Sequence, residues 1–395
     1  MTRASADPSA GTSSQRVAEV ARLFLKLGLT AFGGPAAHIA MMRTEVVERR
    51  GWVSNERFVD LMGIASAIPG PTSTEMAIYL GYLHAGGWGL VVGGLCFIVP
   101  AMLMVMALGW VYVTFGSLPQ TGWIFYGIQP VVVAIVAQAI WVLGRIVIKG
   151  VWPALLTVGI LTLYLLGVNI FLLLLGGALF IALLGWMRRT PKQEGLVGIS
   201  LLRWQPAAWS GAVALTVVPF SLLLLFLTFL KIGAVIYGSG YVLLAFLRTD
   251  LVLNLHWLTD QQLLDAVAVG QLTPGPVFTT ATFIGYILGG PPGALLATVA
   301  IFLPSFLFIA LIHPLAGRLR GSALAAPFLD GLNVAALGLM AGVLIQLGQH
   351  ALIDGLTVFL AVESLVVLLR LRLNSAWLIL VGAIVGYIHF AWHIF

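Results

Sequence analysis

Two stretches of this chain are interrupted in the same way. Residues Ser66–Tyr82 read SAIPGPTSTEMAIYLGY, and residues Gly270–Tyr286 read GQLTPGPVFTTATFIGY. Both place Pro-Gly-Pro inside an apolar run and follow it with hydroxyl side chains. The surroundings make this unusual: 60% of the 395 residues are hydrophobic and 9% are charged. Soluble domains carry about 25% charged residues. Runs such as Gly150–Met187 and Val213–Leu230 contain apolar stretches near or beyond the ~20 residues that cross a bilayer. The composition predicts an all-α polytopic membrane protein. Its formal charge of +6 sits in short loops between apolar runs. That placement points to positive-inside topology and not to a nucleic-acid surface. The single cysteine, Cys96, excludes an internal disulfide.

The interruptions belong to a larger duplication. At an offset of 205 the sequence matches itself without a gap from Leu25 to Pro71. Lys26 falls on Lys231, Gly28 on Gly233, Phe32 on Tyr237, Arg43-Thr44-Glu45 on Arg248-Thr249-Asp250, Trp52 on Trp257 and Asp60 on Asp265. A one-residue gap then aligns Gly81-Tyr82 with Gly285-Tyr286 and Pro100 with Pro304. Equivalent loops carry opposite charge. Gly116–Thr121 is uncharged while its counterpart holds Arg318 and Arg320. Arg145 and Lys149 face His350 and Asp354, and the loop at Asn169 faces Arg370 and Arg372. Arg188, Arg189, Lys192 and Arg203 face a C-terminus without Lys or Arg. With Lys and Arg on the cytoplasmic side, the halves are expected to have inverted topology, a transporter signature.

The expected organisation is a disordered tail (1–16), a first repeat (17–187), a cytoplasmic loop with the start of a linker span (188–221), and a second repeat (222–395). Nine crossings are expected, with the N-terminus cytoplasmic: Gly87–Phe115, Trp123–Ile146, Val151–Leu166, Ile170–Met187, a linker span Ala207–Phe229, Gly293–Ala316, Pro327–Leu347, Gly355–Leu371 and Ala376–His393. Val17–Arg50, Asn55–His84 and their copies read as discontinuous helices in re-entrant hairpins; tilted full crossings are the alternative.

The breaks are Gly33-Gly34-Pro35, Pro69-Gly70-Pro71, Gly238-Ser239-Gly240 and Pro274-Gly275-Pro276. Proline ends one helix and suits the first turn of the next. Each break therefore presents a helix N-terminus at membrane depth, with free N–H donors and about +0.5 of charge. Thr72, Ser73, Thr74, Thr279 and Thr280 add hydroxyls in those first turns. Two facing breaks would cradle an oxyanion; packing kinks are the competing reading. Lys26 and Lys231 would line the route or snorkel to the interface. Arg43 and Arg248 would contact the oxyanion or pair with a nearby acid. Glu75, whose repeat position is Thr280, is a candidate for a coupling proton or a helix-dipole partner. His38 is a second candidate, with a packed neutral ring as the competing reading. Asp60 and Asp265 are expected to cap or pair at the hairpin entrances. No phosphate loop, H-E-x-x-H, paired-cysteine motif or G-x-S-x-G occurs, so neither an enzyme nor a metal or other cofactor is expected.

The runs LGLTAFGGPAAHIAMM (Leu27–Met42), ERRGWVSNERFVDLMGIASAIPGPTSTEMAIYLGY (Glu48–Tyr82) and TPGPVFTTATFIGY (Thr273–Tyr286) resemble the chromate ion transporter family. The resemblance covers both halves, as in the long two-domain members. It implies a bacterial inner-membrane protein that exports chromate, a tetrahedral dianion, and confers chromate resistance, driven by the proton-motive force, membrane potential or anion exchange. The best-matched positions are Phe32, Gly33, Gly34, Pro35, Trp52, Pro69, Gly70 and Pro71; Gly238-Ser239-Gly240 departs from the pattern. Expected partners are chromate or a sulfate-like oxyanion, the lipid bilayer and, as a homodimer, a second copy of the chain. Transport of sulfate, molybdate or another oxyanion is the alternative on the same fold; a passive anion channel is the alternative mechanism.

Overall fold

The computed structural model describes residues 12–66, 68–116, 118–187, 219–237, 240–312, 325–371 and 373–392. The first half contains α1 (Ser13–Thr30), α2 (Gly34–Arg43), α3 (Asn55–Ala65), α4 (Thr72–Phe115), α5 (Pro119–Val147), α6 (Val151–Leu165) and α7 (Ile170–Met187). The second contains α8 (Leu222–Val235), α9 (Leu243–Leu247), α10 (Asp260–Leu272), α11 (Thr280–Ile312), α12 (Ala325–Ala351), α13 (Gly355–Leu371) and α14 (Ser375–Trp392). No strand occurs among the described residues. Among the described residues, six helices are long and apolar enough to cross a membrane. Large apolar side chains such as Trp88, Leu103, Leu172 and Trp377 stand exposed around them, as a lipid-facing surface requires. The protein is a multi-pass, all-α membrane protein.

Helix boundaries follow local chemistry. Thr12 and Gln15 close a capping box on α1, as Thr259 and Gln262 do on α10, and Ser54 caps α3. α2 and α9 each widen into a π-type turn, over Thr44–Arg49 and Arg248–Asn254, so the repeat register survives in an unusual local feature.

The two longest helices are not straight rods. α4 carries non-helical backbone at Ala85 and Gly86, and α11 at Gly289 and Gly290. A side chain built on Gly93 would stand 2.8 Å from the Ala77 carbonyl oxygen, and one on Gly89 would collide with that of Gly81. A continuous helix would hold Ala77 and Gly93 about 24 Å apart. The chain therefore reverses, and α4 is a hairpin of α4a (72–84) and α4b (87–115). α11 does the same as α11a (280–288) and α11b (291–312), with Gly285 against Gly293. The expected span Gly87–Phe115 starts at this reversal; the expected start at Gly293 lies just past it.

Packing repeats as well. α1 lies along α4b and α8 along α11b, with Gly28 on the Cys96 and Phe97 carbonyls and Gly233 on that of Ile301. The expected linker span differs here: its described part belongs to α8, which runs past Phe229 to Val235 and packs as the copy of α1. Residues 207–218 and most of the loop 188–221 lie outside the described residues, as do 1–11, Arg318, Arg320, Arg372, and Gly238 and Ser239 of one break. α5 packs on α13 and α14 of the other half, just as α12 packs on α6 and α7. α4b meets α11 with Gly94 against Phe306 and Gly109 against Tyr286, so α4b runs antiparallel to its own copy.

Candidate functional site

α1 ends at Thr30, Ala31 is extended, and Gly33 and Gly34 take φ values of 101° and 76° before Pro35 starts α2. α3 ends at Ala65, and Pro69-Gly70-Pro71 leads into α4a with Pro71 as its N-cap. Two hydrogen bonds join these breaks across the halves. Gly70 N–H donates to the Ile236 carbonyl over 2.8 Å, and Gly275 N–H donates to that of Ala31 over 2.9 Å. Each bond is the other displaced by 205 positions. The ends of α1 and α8 thus meet the Pro-Gly-Pro of the opposite repeat, and Pro35 lies 3.8 Å from the Cβ position of Gly240. The described breaks converge on the contact between the halves.

The two Pro-Gly-Pro turns are unlike in chemistry. At the second, Thr279 Oγ1 donates to the Pro276 carbonyl and Thr280 Oγ1 to that of Val277, each over 2.8 Å. Gly275 faces the Ala101 methyl. The Thr279 and Thr280 hydroxyl protons are spent locally. At the first, Ser73, Thr74 and Glu75 are buried, and Thr74 Oγ1 and both Glu75 carboxyl oxygens have no partner among the described residues. Ser305 Oγ and the Tyr237 hydroxyl, from the second half, are also unpartnered. Gly70 has φ 137°, and a Cβ there would stand 2.5 Å from Ser305 Oγ and closer to Glu75 Oε1. Tyr237 directly follows Ile236, whose carbonyl takes the Gly70 amide. The Pro71 carbonyl takes the Thr74 and Glu75 amides, leaving those of Thr72 and Ser73 without intrahelical acceptors. Unpartnered buried polar groups cost about 1–3 kcal/mol each. Here they gather at one helix N-terminus.

The cationic candidates are engaged elsewhere. Lys26 Nζ pairs with Glu45 at 2.7 Å, and Lys231 with Asp250 at 2.7 Å, the same bond in both repeats. Arg49 and Arg50 also reach Glu45. Arg43 bonds Asn55 and Glu48; Arg248 bonds Asp260 and Gln346. His38 Nε2 lies 3.0 Å from the Ala31 carbonyl, its ring edge-on to Phe97. Of the expected site residues, the structure brings together Gly70, Pro71 and Thr72–Glu75 at one turn, and holds Lys26, Lys231 and Arg43 in ion pairs.

Two residues were missed in the sequence. Ser305 and Tyr237 occupy positions where the first half has Ala101 and Phe32, so exchanges between aligned halves were the available signal. Asp265 was expected to cap or pair at a hairpin entrance. It does not cap a hairpin entrance: it lies mid-α10, buried, and accepts from Tyr112 over 2.9 Å and Gln129 over 2.8 Å. Two cavities of about 280 Å³ each adjoin there; Gly122 and Gln261 line both, Asp265 lines one and Gln129 the other. A small cavity of about 10 Å³ touches the second-half breaks, at Gly240, Val277 and Thr280.

A sequence profile of the family described as Chromate transporter matches residues 18–185 and 223–387. A chromate transport protein of Cupriavidus metallidurans is 35% identical over 91% of this chain and 90% of that protein. A probable chromate transport protein of Synechococcus elongatus is 33% identical over 94% of this chain and 95% of its own length. One from Pseudomonas aeruginosa is 32% identical over 93% and 91%. No solved structure matches the chain. Two matched segments, one per repeat, together with full-length likeness to these proteins, show that the chain belongs to the chromate transporter family.

Proposed function

We propose that this chain is a secondary transporter that carries chromate out across the bacterial inner membrane and so confers chromate resistance. The relatives' names supply the anion; the first Pro-Gly-Pro break supplies a place for it. The observation that carries the reading is the set of unpartnered buried polar groups on Thr74, Glu75, Ser305 and Tyr237 at the start of α4a. A dianion seated there would receive the Thr72 and Ser73 amides, the positive end of the helix and three hydroxyl donors. A carboxylate sealed from water with neither oxygen bonded is expensive. A protonated Glu75 avoids that penalty and adds a fourth donor, so the acid belongs to the seat in its neutral form. Gly33, Gly34, Pro35, Pro69, Pro274, Gly275 and Pro276 shape the turns around it. In this reading Lys26, Lys231 and Arg43 hold the hairpins through their ion pairs and do not touch the anion.

Alternating access then follows from the architecture. The antiparallel run of α4b and its copy supports halves inverted in the bilayer, with the N-terminus cytoplasmic. Rocking one half against the other would open the seat to each side in turn.

Everted membrane vesicles test this reading. They should accumulate chromate in a saturable, gradient-dependent manner, and cells carrying the protein should hold less chromate than cells without it. Equal accumulation with and without the protein would contradict export. Linear, gradient-independent flux would indicate a channel, and full competition by sulfate would move the assignment to sulfate.

A further inference from the structure

Asp265 is a buried acid to which the anion seat gives no role. It stands on α10 of the second half, yet both its hydrogen-bond donors come from the first: Tyr112 on α4b and Gln129 on α5. It lines a chamber with Thr259, Gln262, Gly122 and Phe125. A second chamber adjoins it, with Tyr126, His350 and Phe390 in its wall. Asp265 lines the first chamber and Gln129 the second, so their hydrogen bond joins residues of both. Among the described residues, neither chamber is lined by Lys or Arg. Such a lining offers a chromate dianion little, and suits water and protons.

We propose that Asp265 takes up the coupling proton from this vestibule, and that its protonation loosens the tie between the two halves. The inference rests on the transport reading above. As a carboxylate, Asp265 accepts from both donors. A proton arriving from vestibule water forms an O–H bond on one oxygen and turns that acceptor into a donor. On Oδ1 it faces the Gln129 amide nitrogen, which has no lone pair to offer, so the amide must turn. On Oδ2 it forces the Tyr112 hydroxyl to reverse. Either way a bond between α10 and α4b or α5 is remade. Loss of the proton to the opposite side restores both. One protonation event thereby biases the contact that must shift in alternating access.

Other ionisable groups around the vestibule are already paired or stacked. Tyr112 donates to Asp265 itself. His350 lies 3.4 Å from Asp260, which also takes Arg248, and Tyr126 bonds Asp354 and stacks on His389. Glu75, another buried carboxyl, lines neither chamber. In the sequence the residue aligned with Tyr112 is Ala316.

The test uses purified full-length protein, wild type and Asp265→Asn, with Glu75→Gln as comparison. In proteoliposomes, wild-type chromate flux should show a one-proton limb, about tenfold in rate per pH unit. Asp265→Asn should flatten that limb while chromate–chromate exchange persists; Tyr112→Phe should keep it and shift its midpoint. Independently of flux, the infrared pH-difference spectrum should show a carboxylic C=O band that Asp265→Asn removes. A band that survives in Asp265→Asn, or an unchanged pH limb, overturns the proposal. So does a limb abolished by Glu75→Gln and kept by Asp265→Asn, which would return the proton to the break. A wild type that moves no chromate yet shows the band would overturn the substrate reading and leave the proton site standing.

Discussion

Gly70 concentrates the demands of the site into one residue. Its φ of 137° is disfavoured for any side chain, and a Cβ would enter the space of Ser305 and Glu75. Gly70→Leu should abolish chromate transport, with membrane insertion checked by expression level in the membrane fraction. Gentler substitutions separate seat from scaffold. Ser305→Ala removes an unspent hydroxyl and should weaken apparent chromate affinity by about tenfold, the scale of one hydrogen bond to a charged group. Thr279→Val removes a hydroxyl already committed to the Pro276 carbonyl and should change affinity less than twofold on the same assay. Equal effects would place the anion between the two breaks instead of at the first. Lys231 offers a second discrimination. If it serves Asp250, the charge-swapped pair Lys231→Asp with Asp250→Lys should recover most transport lost in either single variant, measured in vesicles. An anion-binding lysine would show no such recovery.

At the scale of elements, the helical hairpin is the unit that makes the breaks usable. α4a can present its N-terminus inside the protein because it folds back on α4b through Gly81, Gly89 and Gly93. Gly89→Val should wedge the two limbs apart and destabilise the protein by about 1–3 kcal/mol or more; thermal unfolding in detergent would show a lowered midpoint. The Arg248–Asp260 pair is similarly structural. Arg248 is buried against Asp260 and Gln346, so Arg248→Ala should cost about 3–5 kcal/mol by stranding Asp260. How far these elements were legible in the sequence varies with the physics involved. Pro69-Gly70-Pro71 and Gly33-Gly34-Pro35 announce helix ends because backbone geometry there depends on the residues themselves. The break at Ala85-Gly86 falls between the expected element Asn55–His84 and the expected span Gly87–Phe115. α8 starts at Leu222, just after Pro219 and the Ser221 N-cap, so a local stop inside the expected linker span Ala207–Phe229 stood in the sequence. Whether a hydroxyl is spent or free depends on its neighbours, so Thr74 and Thr279 look alike in sequence and differ in the structure.

Over the whole molecule, duplication followed by divergence explains why the unpartnered polar groups of the breaks lie on one side. The reciprocal bonds of Gly70 and Gly275 preserve the symmetric frame. The polar exchanges at Glu75, Tyr237 and Ser305 collect on one side of it. The long-range partners of Asp265 come from helices more than a hundred residues away in the chain, which no local pattern displays. The proposed inversion of the halves makes its own prediction. In a Cys96→Ala background, cysteines at Thr121 and Ile353 should react with a membrane-impermeant thiol reagent from the same side. Cysteines at Lys149 and Asn374 should react from the other. Reaction of Ile353 from the same side as Lys149 would contradict inversion.

The most direct test of the central claim is a cryo-EM map of the protein with chromate bound. The account predicts tetrahedral density at the start of α4a, within hydrogen-bond distance of the Thr72 and Ser73 amides and of Ser305. Density seated on Lys26 or Arg43, or beside Asp265 in the vestibule, with the first break still empty, would contradict it.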